Sequence, residues 1–162
     1  MDDVLRIVPT DLRDPAHATA WLALLDAYAR DPMGGGKGLP AAVRAALPQK
    51  LRERAGFVSF LAYADDEAVG LINCFEGFST FAAQPLLNVH DIAVLPTHRR
   101  RGIARALLAA AEDAARQRGC CKLTLEVLSS NHVAMAAYVQ QGFAPYELDP
   151  AAGQAVLLQK WL

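Results

Sequence analysis

The chain has 162 residues, 53% of them hydrophobic, and a formal charge of -1 from 16 Lys+Arg and 17 Asp+Glu. That length suits one domain with a full core, and the composition excludes a disordered chain or a coiled coil. The near-neutral charge argues against a protein held to nucleic acid by bulk electrostatics, although a local basic cluster could still bind a small anion. We therefore expect a single domain over residues 1–162.

The cysteines and the apolar stretches indicate where such a protein works. Cys74, Cys120 and Cys121 make a poor disulfide framework, because their number is odd and two are adjacent. Charged residues interrupt the start of the chain, so no secretory signal is predicted there. The longest uncharged stretch, 127–146, is too polar to span a bilayer. We expect a soluble, cytoplasmic protein with no membrane partner.

The first third of the chain predicts one strand and two helices. An apolar run at 5–8 predicts the strand, and helical spacing of apolar residues predicts a helix over 14–30. A loop with four glycines follows at 31–40. Val43, Leu47 and Leu51 then line one face of a second helical segment, which Pro48 is expected to split.

The remaining residues predict strands on either side of a long helix. Two strands at 57–63 and 69–78 flank a polar turn, which predicts a hairpin. The predicted helix over 101–119 has a buried stripe of Ile103, Leu107, Leu108 and Ala111. Further elements are strands at 86–94 and 122–128, a short helix at 131–141, and last strands at 143–148 and 155–161. This order predicts an α+β domain around one mixed sheet.

The glycine-rich loop at 31–40 does not match a nucleotide-triphosphate loop. Gly36-Lys37 is followed by Gly38 rather than Ser or Thr, and the loop follows a helix rather than a strand. Two interpretations remain, a flexible connector and a mobile wall of a substrate pocket.

The turn before the long helix is basic. No acidic residue occurs between Asp91 and Glu112, and Arg99–Arg101 stand at the start of the helix. A helix N-terminus carries partial positive charge, so three arginines are unfavourable there unless an anion joins them. Gly102 would let a phosphate or pyrophosphate approach the backbone closely. The alternative is a solvated basic turn with Thr97 as the helix cap.

These residues resemble a known family. Arg99-x-x-Gly102-x-Ala104, after an apolar strand, resembles the acyl-CoA-binding motif (Q/R)-x-x-G-x-(G/A) of the GNAT N-acetyltransferase superfamily. The stretch at 123–127, with Asn131 and the pattern Tyr138-x-x-x-Gly142-Phe143, resembles its second motif. The resemblance implies the acyl-CoA N-acyltransferase fold, a mixed and mostly antiparallel sheet flanked by about four helices.

The resemblance also implies acetyl-CoA as the acyl-donor substrate and an amine as the acceptor. In the family the strand before the first motif splays at a bulge, and its main chain binds the pantetheine arm. The amides of the motif hold the pyrophosphate, and the Val94 N–H would stabilise the oxyanion of the tetrahedral intermediate. The implied donor-binding residues are Ile92, Ala93, Val94, Arg99, Arg100, Arg101, Gly102, Ile103, Ala104 and Asn131. For Asn131, a helix-capping role is by itself a sufficient explanation.

Three side chains are candidates for catalysis. Tyr138 is the implied general acid for the departing thiolate, with an aromatic core residue as the alternative. Period-two alternation places Asn88 and His90 on one face of their strand and Asp91 on the other. The family often has its base at the positions matching Asn88 and His90, and only the imidazole is basic. The alternative for His90 is a hydrogen-bonded structural histidine.

Glu76 is the rival for proton removal, solvent acting through a water is a third possibility, and Asp91 comes last because strict alternation places it on the other face of the sheet. Glu76 interrupts an apolar strand, so it either faces the pocket as a base or binding group, or points to solvent. Cys74 is interpreted as a small buried residue rather than a nucleophile. The four histidines have no metal-ligand spacing, so no metal is predicted.

The sequence thus predicts an acetyl-CoA-dependent N-acetyltransferase acting on a primary amine by direct attack in a ternary complex. One alternative is an acyl-CoA-binding module without turnover. Another is a nucleic-acid binder using Arg99–Arg101, which the near-neutral charge disfavours, and we expect no nucleic-acid partner. The identity of the amine stays open, and so does the oligomeric state, a homodimer included.

Overall fold

The computed structural model describes residues 4–147 and 149–162. The chain divides into two compact units, residues 1–126 and residues 127–162. The first unit contains the whole β-sheet and three α-helices, and the second contains the fourth helix.

Five strands form one sheet in which neighbours along the chain are also neighbours in space. All adjacent pairs are antiparallel except the last, which is parallel. The mixed, mostly antiparallel sheet is therefore confirmed. The strands are β1 (Leu5–Pro9), β2 (Phe57–Ala64), β3 (Glu67–Ser79), β4 (Gln84–Val94) and β5 (Leu123–Leu125).

The four predicted helices are present and three have the expected limits within about two residues. Asp14 begins the first helix, because its carboxylate accepts a hydrogen bond from the Ala16 N–H at 2.8 Å. The helices are α1 (Pro15–Arg30), α2 (Ala41–Arg52), α3 (Ile103–Gln117) and α4 (His132–Gln140).

The two faces of the sheet bury different sets of side chains. On one face, Trp21, Leu24 and Leu25 of α1 pack against Leu61 of β2 and Leu71 of β3. On the other face lies the predicted stripe of α3, in which Leu107 and Ala111 are fully buried and Ile103 and Leu108 nearly so. Gly70 of β3 faces this stripe, since a Cβ there would lie 3.4 Å from Ile103 and from Leu107.

The predicted break at Pro48 is wrong, because α2 continues through this residue. A proline removes one helical hydrogen bond and costs about 3 kcal/mol in a helix interior. Leu47 and Leu51 lie on either side of the proline, and both pack against the core beneath α1. This burial keeps the helix together across the missing bond.

The two predicted last strands are also wrong. Residues 143–147 and 155–161 form no strand, and Leu148 lies outside the described residues. In the second unit the described part after α4 contains only a short 3-10 turn, Pro150–Ala152. A strand requires a partner as well as an apolar pattern, and side chains such as Leu157 and Trp161 are exposed here. For the same reason β5 is shorter than predicted, because it pairs only with Leu87–Val89.

Candidate active site

A β-bulge in β4 organises the site. Asn73 of β3 lies opposite Asp91, but Cys74 lies opposite Val89, so His90 is the extra residue. The His90 ring lies edge-on to Phe75 at 5.3 Å, and Asp91 accepts a hydrogen bond from Asn73. Both side chains therefore lie on the α1 face of the sheet. The prediction that Asp91 faces the other side is wrong, because the bulge interrupts the period of two.

Beyond the bulge, one edge of β4 loses its partner. Among the described residues, β5 pairs with Leu87–Val89 and no strand continues alongside 90–94. The Val94 carbonyl accepts from the Arg99 side chain at 3.1 Å, whereas the next N–H, of Leu95, donates to Val69 of β3. Since the N–H and C=O of one strand residue share an edge, the Val94 N–H also points away from β3.

The same alternation separates the three residues predicted to bind the pantetheine arm. Ile92 and Val94 present their main-chain groups to the open edge. Ala93 has the opposite direction and pairs with Leu71 of β3. The expectation for the main chain of Ala93 is therefore corrected, while that for Ile92 and Val94 stays a prediction.

The basic loop, residues 99–104, leads from β4 into α3. Arg100 and Gly102 have φ values of 63° and 78°, in the left-handed region that bulky side chains avoid. A Cβ on Gly102 would meet no atom within 4 Å, so the backbone is open there. No side chain caps α3 and no acidic residue stands in its first turn. These features are those of an anion site at a helix N-terminus.

Thr97 does not cap this helix. Its hydroxyl lies 2.9 Å from His98 Nδ1, and Gly102 is the capping residue of α3. The alternative of a basic turn capped by Thr97 is therefore wrong.

The Arg99 side chain is engaged within the protein. Its guanidinium donates to Asp31 Oδ2 at 2.8 Å as well as to the Val94 carbonyl. This arginine, together with the Met33 N–H, holds the pKa of Asp31 below its ordinary value. The Arg99–Asp31 ion pair thus fastens the glycine-rich loop to the end of β4, and only the main chain of Arg99 remains a candidate for the pyrophosphate.

A cleft of about 280 Å³ lies between α1, α2 and strands β2–β4. The glycine-rich loop supplies part of its wall, which favours the second of the two interpretations of that loop. Most of the lining is apolar or aromatic, and polar groups are few. The lining residues are Trp21, Leu25, Tyr28, Ala29, Gly34, Leu39, Leu47, Leu51, Phe57, Asn73, Phe75, His90 and Asp91.

A buried hydrogen-bond network holds Asp91 in this cleft. Asn73 Oδ1 accepts from Trp21 Nε1 at 2.7 Å and from Ser59 Oγ at 2.9 Å. These two bonds fix the direction of the amide, so Asn73 Nδ2 donates to Asp91 Oδ2 at 3.0 Å. Thr10 extends the network at 2.9 Å from Ser59. The sequence analysis missed this group, although Asn73 is a polar residue within an apolar strand, and that signal was available.

His90 and Tyr28 are the other polar groups of the cleft. His90 makes no hydrogen bond with any residue that the structure describes, which disfavours the alternative of a hydrogen-bonded structural histidine. Tyr28 is half-buried, and this burial, followed by the charges of Asp91 and Asp31, raises its pKa. The phenol is therefore a neutral hydroxyl near neutral pH.

Glu76 does not join these residues. It follows the cleft residue Phe75 in β3, so its side chain lies on the α3 face, where it pairs with Arg118 at 2.9 Å. The expectation that Glu76 faces the pocket is therefore wrong. Asn88 also has a partner, because its amide lies 3.0 Å from Thr124 Oγ1 and links β4 to β5.

The second unit contains Asn131 and Tyr138. Asn131 caps α4, with its side chain accepting from the Ala134 N–H at 3.2 Å. The Tyr138 ring lies 5.9 Å from Phe143, and Gly142 between them has a φ of 89° that ends the helix. The Y-x-x-x-G-F pattern is thus a helix terminus with an aromatic pair. The catalytic role of Tyr138 and the pantetheine contact of Asn131 stay predictions.

Cys74 is buried, and this burial, followed by the charge of Asp91, raises its pKa to about 12. The thiol is therefore protonated, which disfavours a nucleophilic role. Within the residues described, no three His, Cys, Asp or Glu side chains group together, and the expectation of no metal stays a prediction. No α-helix among them is long and apolar enough to cross a bilayer.

Comparison with known proteins finds relatives that are named as acetyltransferases. The streptothricin acetyltransferase of Streptomyces lavendulae is 42% identical over 91 residues, covering 56% of this chain and 46% of that protein. An aminoglycoside N(6')-acetyltransferase type 1 of Acinetobacter haemolyticus is 30% identical over 93 residues, covering 56% of this chain and 64% of its own length. The chain spans about half the length of the curated relatives that it matches first.

Among solved structures, a similar fold is found in another acetyltransferase. The crystal structure of the aminoglycoside N-acetyltransferase AAC(6')-Iy in complex with CoA matches with a TM-score of 0.77 and 21% identity, covering 99% of this chain and 97% of that one. The predicted fold class is thereby confirmed. The model of the Acetyltransferase (GNAT) family matches residues 21–143, which include the cleft, the bulge and the basic loop. This chain therefore belongs to the GNAT family of acetyltransferases.

Proposed function

We propose that this chain is an acetyl-CoA-dependent N-acetyltransferase that acetylates a primary amine by direct attack in a ternary complex. The observation that carries the proposal is the order of features along β4. The cleft residues His90 and Asp91 come first, the open edge at Ile92 and Val94 follows, and the basic loop comes next. Two residues of the proposed acceptor cleft, the proposed thioester-binding edge and the proposed pyrophosphate site thus follow one another within fifteen residues of one strand and loop.

The donor is held chiefly by the main chain in this proposal. Ile92 and Val94 bind the pantetheine arm as a pseudo-strand. The amides from Arg100 to Ala104 bind the pyrophosphate at the start of α3. Asn131 is retained as a further pantetheine contact on the strength of the family motif.

The reaction balances with groups of this chain. His90 takes a proton from the acceptor ammonium and releases it to solvent, which leaves a neutral amine. The nitrogen attacks the thioester carbonyl carbon, a C–N bond forms, and the Val94 N–H stabilises the oxyanion. The C–S bond then breaks as Tyr138 protonates the sulfur, and the second nitrogen proton returns to the tyrosine. The products are an acetamide and the thiol of CoA.

His90 is the proposed base, and the remaining alternatives are a water and Asp91, which lines the same cleft. The imidazole lines the cleft and has no hydrogen-bond partner among the described residues, so both ring nitrogens can serve proton transfer. Glu76 is paired with Arg118 on the other face, which disfavours it. The non-catalytic alternative is disfavoured because the relatives are named as acetyltransferases.

The domain organisation, cellular location and oligomeric state of the protein also belong to the proposal. Residues 1–162 would act as one catalytic domain, because the family match includes residues of both compact units. A cytoplasmic location fits a protein with free cysteines and a metabolic thioester as donor. A homodimer is compatible with the proposal, and no step requires one.

Tyr138→Phe tests the proposal, because it keeps the ring and removes only the proton. We expect kcat to fall roughly 100-fold with acetyl-CoA affinity unchanged. Tyr63→Phe is the matched control, since this ring lies against Arg6 at 5.5 Å and does not line the cleft. Product should be followed as the acetylated amine by mass spectrometry, because exposed Cys121 would react with thiol reagents.

Two results would contradict this account. A fully active Tyr138→Phe variant would mean that another group protonates the thiolate. Tight binding of acetyl-CoA without acetylation of any amine would favour the alternative of an acyl-CoA-binding module without turnover.

A further inference from the structure

The cleft has an apolar body and one carboxylate. Trp21, Phe57 and Phe75 supply aromatic surface, and leucines of α1, α2 and the glycine-rich loop supply most of the rest. Asp91 is the one carboxylate among the lining residues that the structure describes. A ligand that fits this lining has an apolar body and a single group that complements a negative charge.

Among the ion pairs between described residues, none includes Asp91. This carboxylate accepts a hydrogen bond from the neutral amide of Asn73. Two other carboxylates, of residues outside the lining, are already paired. Asp26 is paired with Arg30 at 3.0 Å, and Asp31 is paired with Arg99 at 2.8 Å. Of the described residues that line the cleft, Asp91 is therefore the one carboxylate available to a cation.

The segment that forms one wall of the cleft is basic, although its charged side chains are not among the lining residues. From Pro32 to Arg54 the chain has five basic residues, Lys37, Arg44, Lys50, Arg52 and Arg54, against one acidic residue, Glu53. The guanidinium of Arg54 lies over the ring of the lining residue Phe75, 5.7 Å from its centre, so one of these charges is close to the cleft. A second positive charge on an acceptor would meet this wall without a carboxylate to pair with.

We infer that the acceptor is a primary amine with a single positive charge and an apolar or aromatic body, whose ammonium binds Asp91. This inference rests on the proposed function, since it names the acceptor of the proposed transfer. It separates the chain from the streptothricin and aminoglycoside enzymes among its relatives, because an amine with several positive charges needs several free carboxylates. Asn73 is a positioning residue in this arrangement, since it fixes Asp91 through the bonds from Trp21 and Ser59.

Matched acceptors test the inference directly. Hexylamine and 1,6-diaminohexane have the same chain and differ by one ammonium group, with 2-phenylethylamine as an aromatic monoamine and kanamycin as a polycation. We expect kcat/KM for hexylamine to exceed that for the diamine by about tenfold or more, because the second charge must be desolvated beside a basic wall. If kcat/KM for the diamine or for kanamycin equals or exceeds that for hexylamine, the inference is overturned and the proposed acetyl transfer is unaffected.

Asp91→Asn tests the ammonium site. It should raise the KM for 2-phenylethylamine about 10- to 100-fold and leave acetyl-CoA binding unchanged. Asp113→Asn is the control, because this exposed carboxylate on α3 is remote from the cleft. An unchanged KM in Asp91→Asn, with the fold preserved, would remove Asp91 from acceptor binding.

A charge reversal provides a gain of function. Arg54→Glu adds a carboxylate beside Phe75 and should raise the relative kcat/KM of the diamine several-fold. Arg13→Glu makes the same change of charge at an exposed residue outside the cleft and should leave the ratio unchanged. If Arg54→Glu leaves the ratio unchanged, the basic wall does not select the acceptor.

Binding separates failure of the inference from failure of the proposed function. Hexylamine and the diamine should be titrated by calorimetry into the protein and into Asp91→Asn. If no amine is acetylated, preferential binding of hexylamine that depends on Asp91 still supports the inference. The absence of such binding overturns it.

Discussion

The basic loop and the cleft are built in opposite ways. The basic loop consists of six consecutive residues, 99–104, and its character depends on main-chain conformation, with left-handed φ values at Arg100 and Gly102. The cleft is assembled from side chains between Trp21 and Asp91, which belong to two helices, one loop and three strands. The difference teaches that the proposed donor site depends on main-chain conformation within one short segment, whereas the proposed acceptor site depends on side chains from distant segments.

One side chain joins the two regions. Arg99 begins the acyl-CoA motif, yet its guanidinium binds Asp31 at the start of the glycine-rich loop. That loop supplies Gly34 and Leu39 to the cleft. A motif residue expected on the donor side therefore supports the acceptor side.

The largest expected effect is a loss of acetyl-CoA affinity caused by a substitution in the basic loop. Gly102→Glu places bulk and negative charge above the open backbone where the pyrophosphate is proposed, so acetyl-CoA affinity should fall about 100-fold or more. Gly119→Glu is the matched control, because Gly119 has a φ of 69° against 78° at Gly102 and equally open space at the other end of α3. Calorimetry with acetyl-CoA measures both. Equal affinities in the two variants would mean that the phosphate site is elsewhere.

The next largest effect is expected from a substitution in the hydrogen-bond network that holds Asp91 in the cleft. Asn73→Leu removes the oxygen that accepts from Trp21 and Ser59, so the indole N–H is left buried without its partner, while Ser59 Oγ keeps its contact with Thr10. We expect the free energy of unfolding to fall by about 1–3 kcal/mol for the unpaired indole donor, and the KM of the amine to rise because Asp91 loses the bond from Asn73. Urea denaturation and steady-state kinetics measure these quantities.

Ser59→Ala provides a graded control for Asn73→Leu, since it removes one of the two donors. Acetyl-CoA affinity should change less than about twofold in both variants, because the network does not reach the basic loop. A parallel loss of acetyl-CoA affinity would mean that the two regions are not separable.

The smallest effect concerns the connection between the regions. Arg99→Gln and Asp31→Asn should each raise the KM of the amine a few-fold, and the double variant should be little worse than either, because both remove one ion pair. The pair is partly exposed, so the loss in stability should stay below about 1 kcal/mol. If Arg99→Gln instead weakens acetyl-CoA binding as strongly as Gly102→Glu, the guanidinium belongs to the donor site.

The proton-transfer step gives a further contrast within the cleft. His90→Gln should lower kcat/KM and remove or shift the acid limb of its pH profile, whereas Glu76→Gln should leave both nearly unchanged, because Glu76 lies on the other face. An unchanged profile in His90→Gln would leave a water or Asp91 as the base.

The sequence by itself determined the features that depend on neighbouring residues. The buried stripe of α3 follows from helical spacing, and the helix cap at Asn131 follows from a side chain that bonds an amide three residues away. The basic loop could be predicted for the same reason, since a glycine and three arginines are adjacent in the chain, whereas only the structure excluded Thr97 as the helix cap.

The tertiary structure alone decided the features that depend on distant partners. The bulge at His90 arises from the register between β3 and β4, and it moves Asp91 to the face opposite the one that strict alternation predicts. Glu76 is removed from the cleft by Arg118, and Arg99 is drawn to Asp31, 68 residues away. Pro48 stays within α2 because the leucines beside it pack on a core formed elsewhere in the chain. Strand register and ion pairing depend on interactions between segments that are distant in the sequence. No local pattern of residues specifies them.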